Sequence, residues 1–132
     1  PSLAPNGLET NGLADLLALE EDLFIAVERS FSAGSRLSIR LYLTRTAGAD
    51  DVSGLESLRE AEYAPMAKRL LLDLSDLANE DGSPLWLDNI EAVAFGPVLS
   101  NGNRTLMLVS DNNFRDSQQT QFLAFEIVEP LR

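Results

Sequence analysis

The chain of 132 residues contains no cysteine and no histidine. Without thiols it forms no disulfide and offers no thiolate to zinc or to a nucleophilic mechanism. Without imidazole it lacks the commonest general acid–base group, and Ser-His-Asp and Cys-His arrangements are excluded. The missing cysteines leave the redox compartment open, because cytosolic and periplasmic proteins alike do without them. Basic residues are scarce: 10 Lys and Arg stand against 21 Asp and Glu, for a net charge of −11. Such an excess repels nucleic-acid backbones and anionic membranes, and it suits the binding of cations. No apolar run approaches the roughly 18–20 residues of a membrane-spanning helix. The chain opens on Pro1 with no signal-like segment, so a processed or partial chain is expected. Its length is that of one ordinary domain, and 45% hydrophobic residues are enough for a core.

What is present is a repeat. Residues 11–19 (NGLADLLAL) lead into residues 23–31 (LFIAVERSF). Later, residues 88–95 (DNIEAVAF) lead into residues 105–114 (TLMLVSDNNF). Each time a strand-like run is followed by a second one carrying an acidic residue, Glu28 or Asp111, shortly before a Phe. A third run follows each pair, at residues 37–43 and 120–127. Self-similar blocks of short strands indicate a repeat architecture.

Along the chain, residues 1–12 carry Pro1, Pro5, Asn6-Gly7 and Asn11-Gly12, which is turn and loop chemistry. Residues 13–19 suit a buried strand or a short helix, and periodicity does not choose between them. Residues 23–29 and 37–43 are strands; in the second, Leu37, Ile39, Leu41 and Leu43 alternate with Ser38, Arg40 and Tyr42. Residues 32–35 read as a hairpin turn, residues 46–64 as an exposed acidic loop, and residues 68–74 as a further strand. Residues 75–80 resemble a capped helical turn that ends at Asp81-Gly82. Strands at 90–95, 104–110 and 121–128 follow, separated by a tight turn at 100–103 and a polar loop at 111–119. The expected fold is mainly β, about two blades of a β-propeller-like fold built from antiparallel four-stranded repeats. One domain spans residues 1–132, with repeats at about 11–74 and 86–128, and the last blade lacks its outer strand. An open sheet edge there invites the remainder of a longer chain, or self-association, to close it.

Four polar residues of the second block form a candidate site. Asp88 and Asn89 stand at the mouth of its inner strand and Asp111 at the end of the next. Adjacent antiparallel strands bring such ends to one rim. Carboxylates and an amide oxygen are hard ligands suited to calcium, so Asp88, Asn89, Glu91 and Asp111 are candidate metal ligands. A bound cation could activate water and replace the missing histidine. The plainer alternative is that Asp88, Asn112 and Asn113 form turns by bonding local N–H groups. Glu91 is the sharper case, because a carboxylate inside an apolar strand requires a metal, an arginine or protonation. Glu28 faces the same central channel or pairs with an arginine such as Arg29 across neighbouring blades. Arg104 reads as a solvated turn residue, Phe31 and Phe114 as packing plugs, and Trp86 as packed beneath the loop before the second block.

Several segments together resemble one family: residues 88–97 (DNIEAVAFGP), 101–114 (NGNRTLMLVSDNNF), 120–125 (TQFLAF), 27–31 (VERSF), 39–42 (IRLY) and 68–74 (KRLLLDL). Over residues 11–128 the chain is similar to the C-terminal part of the phytase-like domain family, named for the esterase-like activity of phytase. The resemblance implies a β-propeller, a periplasmic or secreted location, and metal-assisted hydrolysis of a phosphorylated small molecule with calcium as the ion. Glu28, Asp88, Glu91 and Asp111 are the carboxylates it implies for catalysis. The rival expectation is a non-catalytic β-rich binding or assembly module braced by structural calcium.

Overall fold

The computed structural model describes residues 10–31 and 37–131. The turn expected at 32–35 and most of the expected N-terminal loop lie outside the described residues. Strands β1 (Thr10–Ala18), β2 (Leu23–Phe31), β3 (Ser38–Arg45) and β4 (Ala67–Asp73) form a first antiparallel sheet, in the order β1-β2-β3-β4. Strands β5 (Ile90–Val98), β6 (Arg104–Ser110) and β7 (Phe122–Glu126) form a second, in the order β5-β6-β7. Both are simple meanders, and the second stops one strand short of the first. Among the described residues no helix is long and apolar enough to cross a membrane.

β1 is a strand, not a helix, and it starts earlier than its turn residues suggest: Asn11 and Gly12 pair with Ser30 and Arg29 of β2. Pairing along β2 satisfies the backbone of this stretch, and local turn chemistry gives way to it. The expected helical turn is a single 3-10 turn, Leu74–Asp76, capped by Asp73, whose side chain accepts from the Ser75 N–H. After it the chain makes an isolated bridge between Ala78 and Pro84. Gly82, at φ +80°, turns that bend where a side chain would be strained. Residues 46–66 carry no strand or helix, and Asp50 ties the base of this loop by accepting from the Ala64 N–H at 2.7 Å.

Alternation decides which faces meet. Ile25 and Val27 of β2 and Leu41 and Leu43 of β3 point to one side, and Leu106 and Leu108 of β6 join them in one buried cluster. The two sheets therefore share a single core, with β1 lying against β5 along the inner seam. Their registers also repeat. β1 bulges at Ala14, between the pairs Leu13–Glu28 and Asp15–Val27. β5 bulges at Glu91, between Ile90–Ser110 and Ala92–Val109. The duplicated blocks of sequence thus coincide with duplicated strand order, pairing and bulge position.

Candidate functional site

The bulge in β5 explains how a charged residue sits in an apolar strand. A bulge adds a residue to one strand and re-aims its side chain, and here that residue is Glu91. Its Oε1 faces the Arg29 guanidinium, with Nη1 at 3.3 Å. Arg29 belongs to β2, in the other sheet, on the side of Ile25 and Val27. The same Nη1 donates to Asn89 Oδ1, and Asn89 Nδ2 donates to Glu91 Oε1. Arg29, Asn89 and Glu91 form a closed triangle across the seam between the sheets. The Arg29 and Glu91 side chains keep 33% and 38% of their surface exposed, so the triangle is open to solvent on one side. Of the three ways to accommodate Glu91, the structure uses an arginine.

Asp88 is buried and serves the backbone. Its Oδ1 accepts from the Asn89 N–H at 2.7 Å and its Oδ2 from the Gln119 N–H. The Ser110 hydroxyl donates to the Gln119 carbonyl at 2.7 Å and accepts from the Gln121 N–H at 2.8 Å. Together these bonds clamp the loop between β6 and β7 to the start of β5. Asp111 heads that loop and is exposed; its Oδ1 accepts from the Asn113 N–H at 3.1 Å. Asn112 does the same for Phe114, also at 3.1 Å. Asn113 and Phe114 adopt left-handed φ values of 49° and 55°, a conformation that these side-chain bonds hold in place.

Glu28 pairs with Lys68 of β4 at 2.5 Å, not with Arg29, because alternation puts Glu28 and Arg29 on opposite faces of β2. Lys68 also lies 4.4 Å over the Tyr42 ring. The structure therefore joins Asn89 and Glu91 to Arg29, keeps Asp88 beside them in a backbone role, leaves Asp111 on its loop, and turns Glu28 away. Among the described residues, no three acidic side chains come together to hold a metal ion. As arranged, the donor set does not fit a divalent cation: Arg29 faces the oxygens of Asn89 and Glu91, and both Asp88 oxygens already accept N–H groups.

Sequence reading missed Asp15. Its Oδ2 accepts from the Val93 N–H at 2.8 Å and stitches β1 to β5 across the seam. The signal was available, since Asp15 interrupts an apolar run just as Glu91 does. Arg104 is not merely solvated: its guanidinium lies 3.6 Å over the Phe95 ring. A cleft of about 310 Å³ opens beside it, at the rim opposite the triangle, and is lined by Leu19, Asn103, Arg104 and Pro130 among others. None of the candidate carboxylates lines it. Phe31 and Phe114 are exposed at 47% and 101%, so neither is buried as a plug, and Trp86, at 52%, is not buried beneath the loop.

No curated protein and no solved structure is significantly similar to this chain. The family model described as esterase-like activity of phytase matches residues 2–114. That span holds both bulges, the Arg29–Asn89–Glu91 triangle, Asp88 and the Asp111 turn, and it ends before β7. The chain belongs to the phytase-like family.

Proposed function

We propose that this chain is part of a phosphoester hydrolase of the phytase-like group, acting on a phosphorylated small molecule at the rim where β2 ends and β5 begins. The observation that carries the reading is the Arg29–Asn89–Glu91 triangle, a half-exposed guanidinium and carboxylate within the family-matched span. A guanidinium recognises phosphate oxygens by charge-assisted hydrogen bonds. A carboxylate next to it can take a proton from an attacking water, the work that histidine does elsewhere. In this assignment Arg29 holds the phosphate, Glu91 accepts the proton, and Asp88 positions Asn89 and the loop. Glu28 and Asp111 enter only through the resemblance. Calcium, which the resemblance also implies, would compete with Arg29 for the oxygens of Asn89 and Glu91. The reading includes a periplasmic or secreted location. It also takes residues 1–132 as a segment of one propeller domain, whose repeats at 11–74 and 86–128 are successive blades.

The test is hydrolysis of p-nitrophenyl phosphate, with and without calcium, by the wild type and by Glu91→Gln. The expected result is turnover by the wild type and a loss of about a hundredfold or more in kcat/KM for the variant, the usual scale of a lost general base. Equal rates for the two proteins would remove Glu91 from the chemistry. A second reading, a non-catalytic binding or assembly module with structural calcium, is favoured by one observation. Asp15–Val93 and Arg29–Glu91 both tie one sheet to the other. In that case Glu91→Gln lowers stability and there is no turnover to lose.

A further inference from the structure

The rim that carries the Arg29–Asn89–Glu91 triangle also carries a pocket of about 300 Å³. Among the described residues it is lined by Leu37, Ser75, Pro84, Leu85, Trp86 and Leu87. Its place follows from register and chain length. Arg29 pairs with Ile39, and Leu37, two residues before Ile39, packs against the same core. Diagonal neighbours of this kind on one face of an antiparallel pair lie about 7–8 Å apart. On the side of the second sheet, Trp86 precedes Asn89 by three residues, a span of at most about 11 Å. One wall is thus anchored beside Arg29 and the other beside Asn89, and this chain supplies both.

The wall that bears the indole is held in place. Gln121 Nε2 donates to the Trp86 carbonyl at 3.0 Å, and Gln121 Oε1 accepts from the Asp88 N–H at 3.3 Å. Asp88 in turn accepts from the Asn89 N–H at 2.7 Å. One clamp therefore fixes Trp86 relative to the Asn89 of the triangle, and a preorganised wall costs a ligand less to order. The walls are apolar. None of these six side chains is charged, and the Ser75 hydroxyl already donates to Asp73 Oδ1 at 2.6 Å. Trp86 is half-exposed, which leaves its ring open to stacking. We infer that this pocket holds the alcohol part of the phosphoester while Arg29 holds its phosphate, so that the substrate is the phosphomonoester of an aromatic alcohol. The inference rests on the reading of Arg29 as the phosphate-binding group. A cavity of roughly 150 Å³ admits a benzene ring, so the pocket has room for one or two rings. The hydroxyls of a polyol phosphate would lose water here and gain no partner from these side chains.

Trp86 is the one tryptophan of the chain, so its fluorescence reports on this pocket. The probes are benzylphosphonate and methylphosphonate, which share an anionic head and resist hydrolysis, and benzyl alcohol, which lacks that head. Calorimetric titration is expected to show benzylphosphonate binding about tenfold or more tightly than methylphosphonate, the scale of burying one large apolar group. Trp86 fluorescence is expected to change as it binds. Trp86→Ala and Leu37→Ala are each expected to erase the preference, and circular dichroism checks that each is folded. Arg29→Gln is expected to weaken both phosphonates. A preference that survives in both pocket variants overturns the assignment to this pocket. Equal affinity of the wild type for the two phosphonates, with both weakened in Arg29→Gln, overturns the pocket and keeps the role of Arg29. A fluorescence response to benzyl alcohol with no binding of either phosphonate overturns the role of Arg29, and the joint site with it. No response to any probe overturns both.

Discussion

Glu91 shows how an apolar strand accommodates a carboxylate. The bulge lifts it from the apolar strand, and Arg29 supplies the opposite charge at 3.3 Å. With a third or more of each side chain in water, the pair is screened and contributes only about 0.2–1 kcal/mol. Urea denaturation of Arg29→Ala, Glu91→Ala and the double variant is expected to give a coupling energy within that range. A much larger coupling would mean a drier contact than the structure shows. Asp88 differs, because it is buried and accepts two backbone N–H groups. Asp88→Ala strands these donors and is expected to cost about 1–3 kcal/mol, with faster hydrogen exchange at the Gln119 amide. Asp88→Asn retains one acceptor and should lose less. Unchanged exchange at Gln119 would deny Asp88 its clamp.

Strands and turns carry their own tests. Gly96 of β5 is a close approach: a Cβ there would meet Thr105 Oγ1 and Met107 Cγ, the latter at 2.8 Å. Met107 can flex, but Thr105 is β-branched and its hydroxyl is held on the Pro97 carbonyl at 2.8 Å. Gly96→Ala is therefore expected to destabilise by about 1–3 kcal/mol through overpacking. Gly54→Ala, in open space, is the control and should leave the denaturation midpoint in place. At the end of β4, burial works to raise the Asp73 carboxyl, but hydrogen bonds from Ser75 and Arg40 outweigh it and hold the group below its ordinary value. A carboxyl depressed in the folded state adds stability above the unfolded value, about 3.9, and that stability is lost as pH falls through the lower folded value. Asp73→Asn should be less stable than the wild type near neutrality, and the gap should narrow below about pH 4. A gap independent of pH would assign the effect to the cap geometry alone.

For the whole molecule, charge and stacking act against each other. A net charge of −11 on one small domain is self-repelling. Screening it with sodium chloride is expected to raise Tm. A falling Tm would mean that the four ion pairs found among the described residues outweigh the net repulsion. The stacking is one shared core between two sheets, with Ile25, Val27, Leu41 and Leu43 on one side and Leu106 and Leu108 on the other.

Much of the fold was legible in the sequence because strands declare themselves locally. Alternation in residues 37–43, the tight turn at 100–103 and the duplicated blocks lead to the seven strands and two antiparallel meanders observed. Residues 13–19 were ambiguous, because an apolar run of that length suits helix and strand equally, and pairing with β2 decided it. The site was legible only in part. Glu91 had to have a partner, since an unpaired carboxylate in an apolar strand is costly. Which partner it has depends on a contact between residues 62 positions apart. Glu28 and Arg29, neighbours in the chain, face opposite ways and find Lys68 and Asn89–Glu91 instead. Local pattern and solvation were enough for most of the strands, their order and the acids that needed partners, residues 13–19 excepted. Which sheet faces meet and which charges pair come from the folded chain, because both depend on bulges and on the stacking of two sheets far apart in sequence.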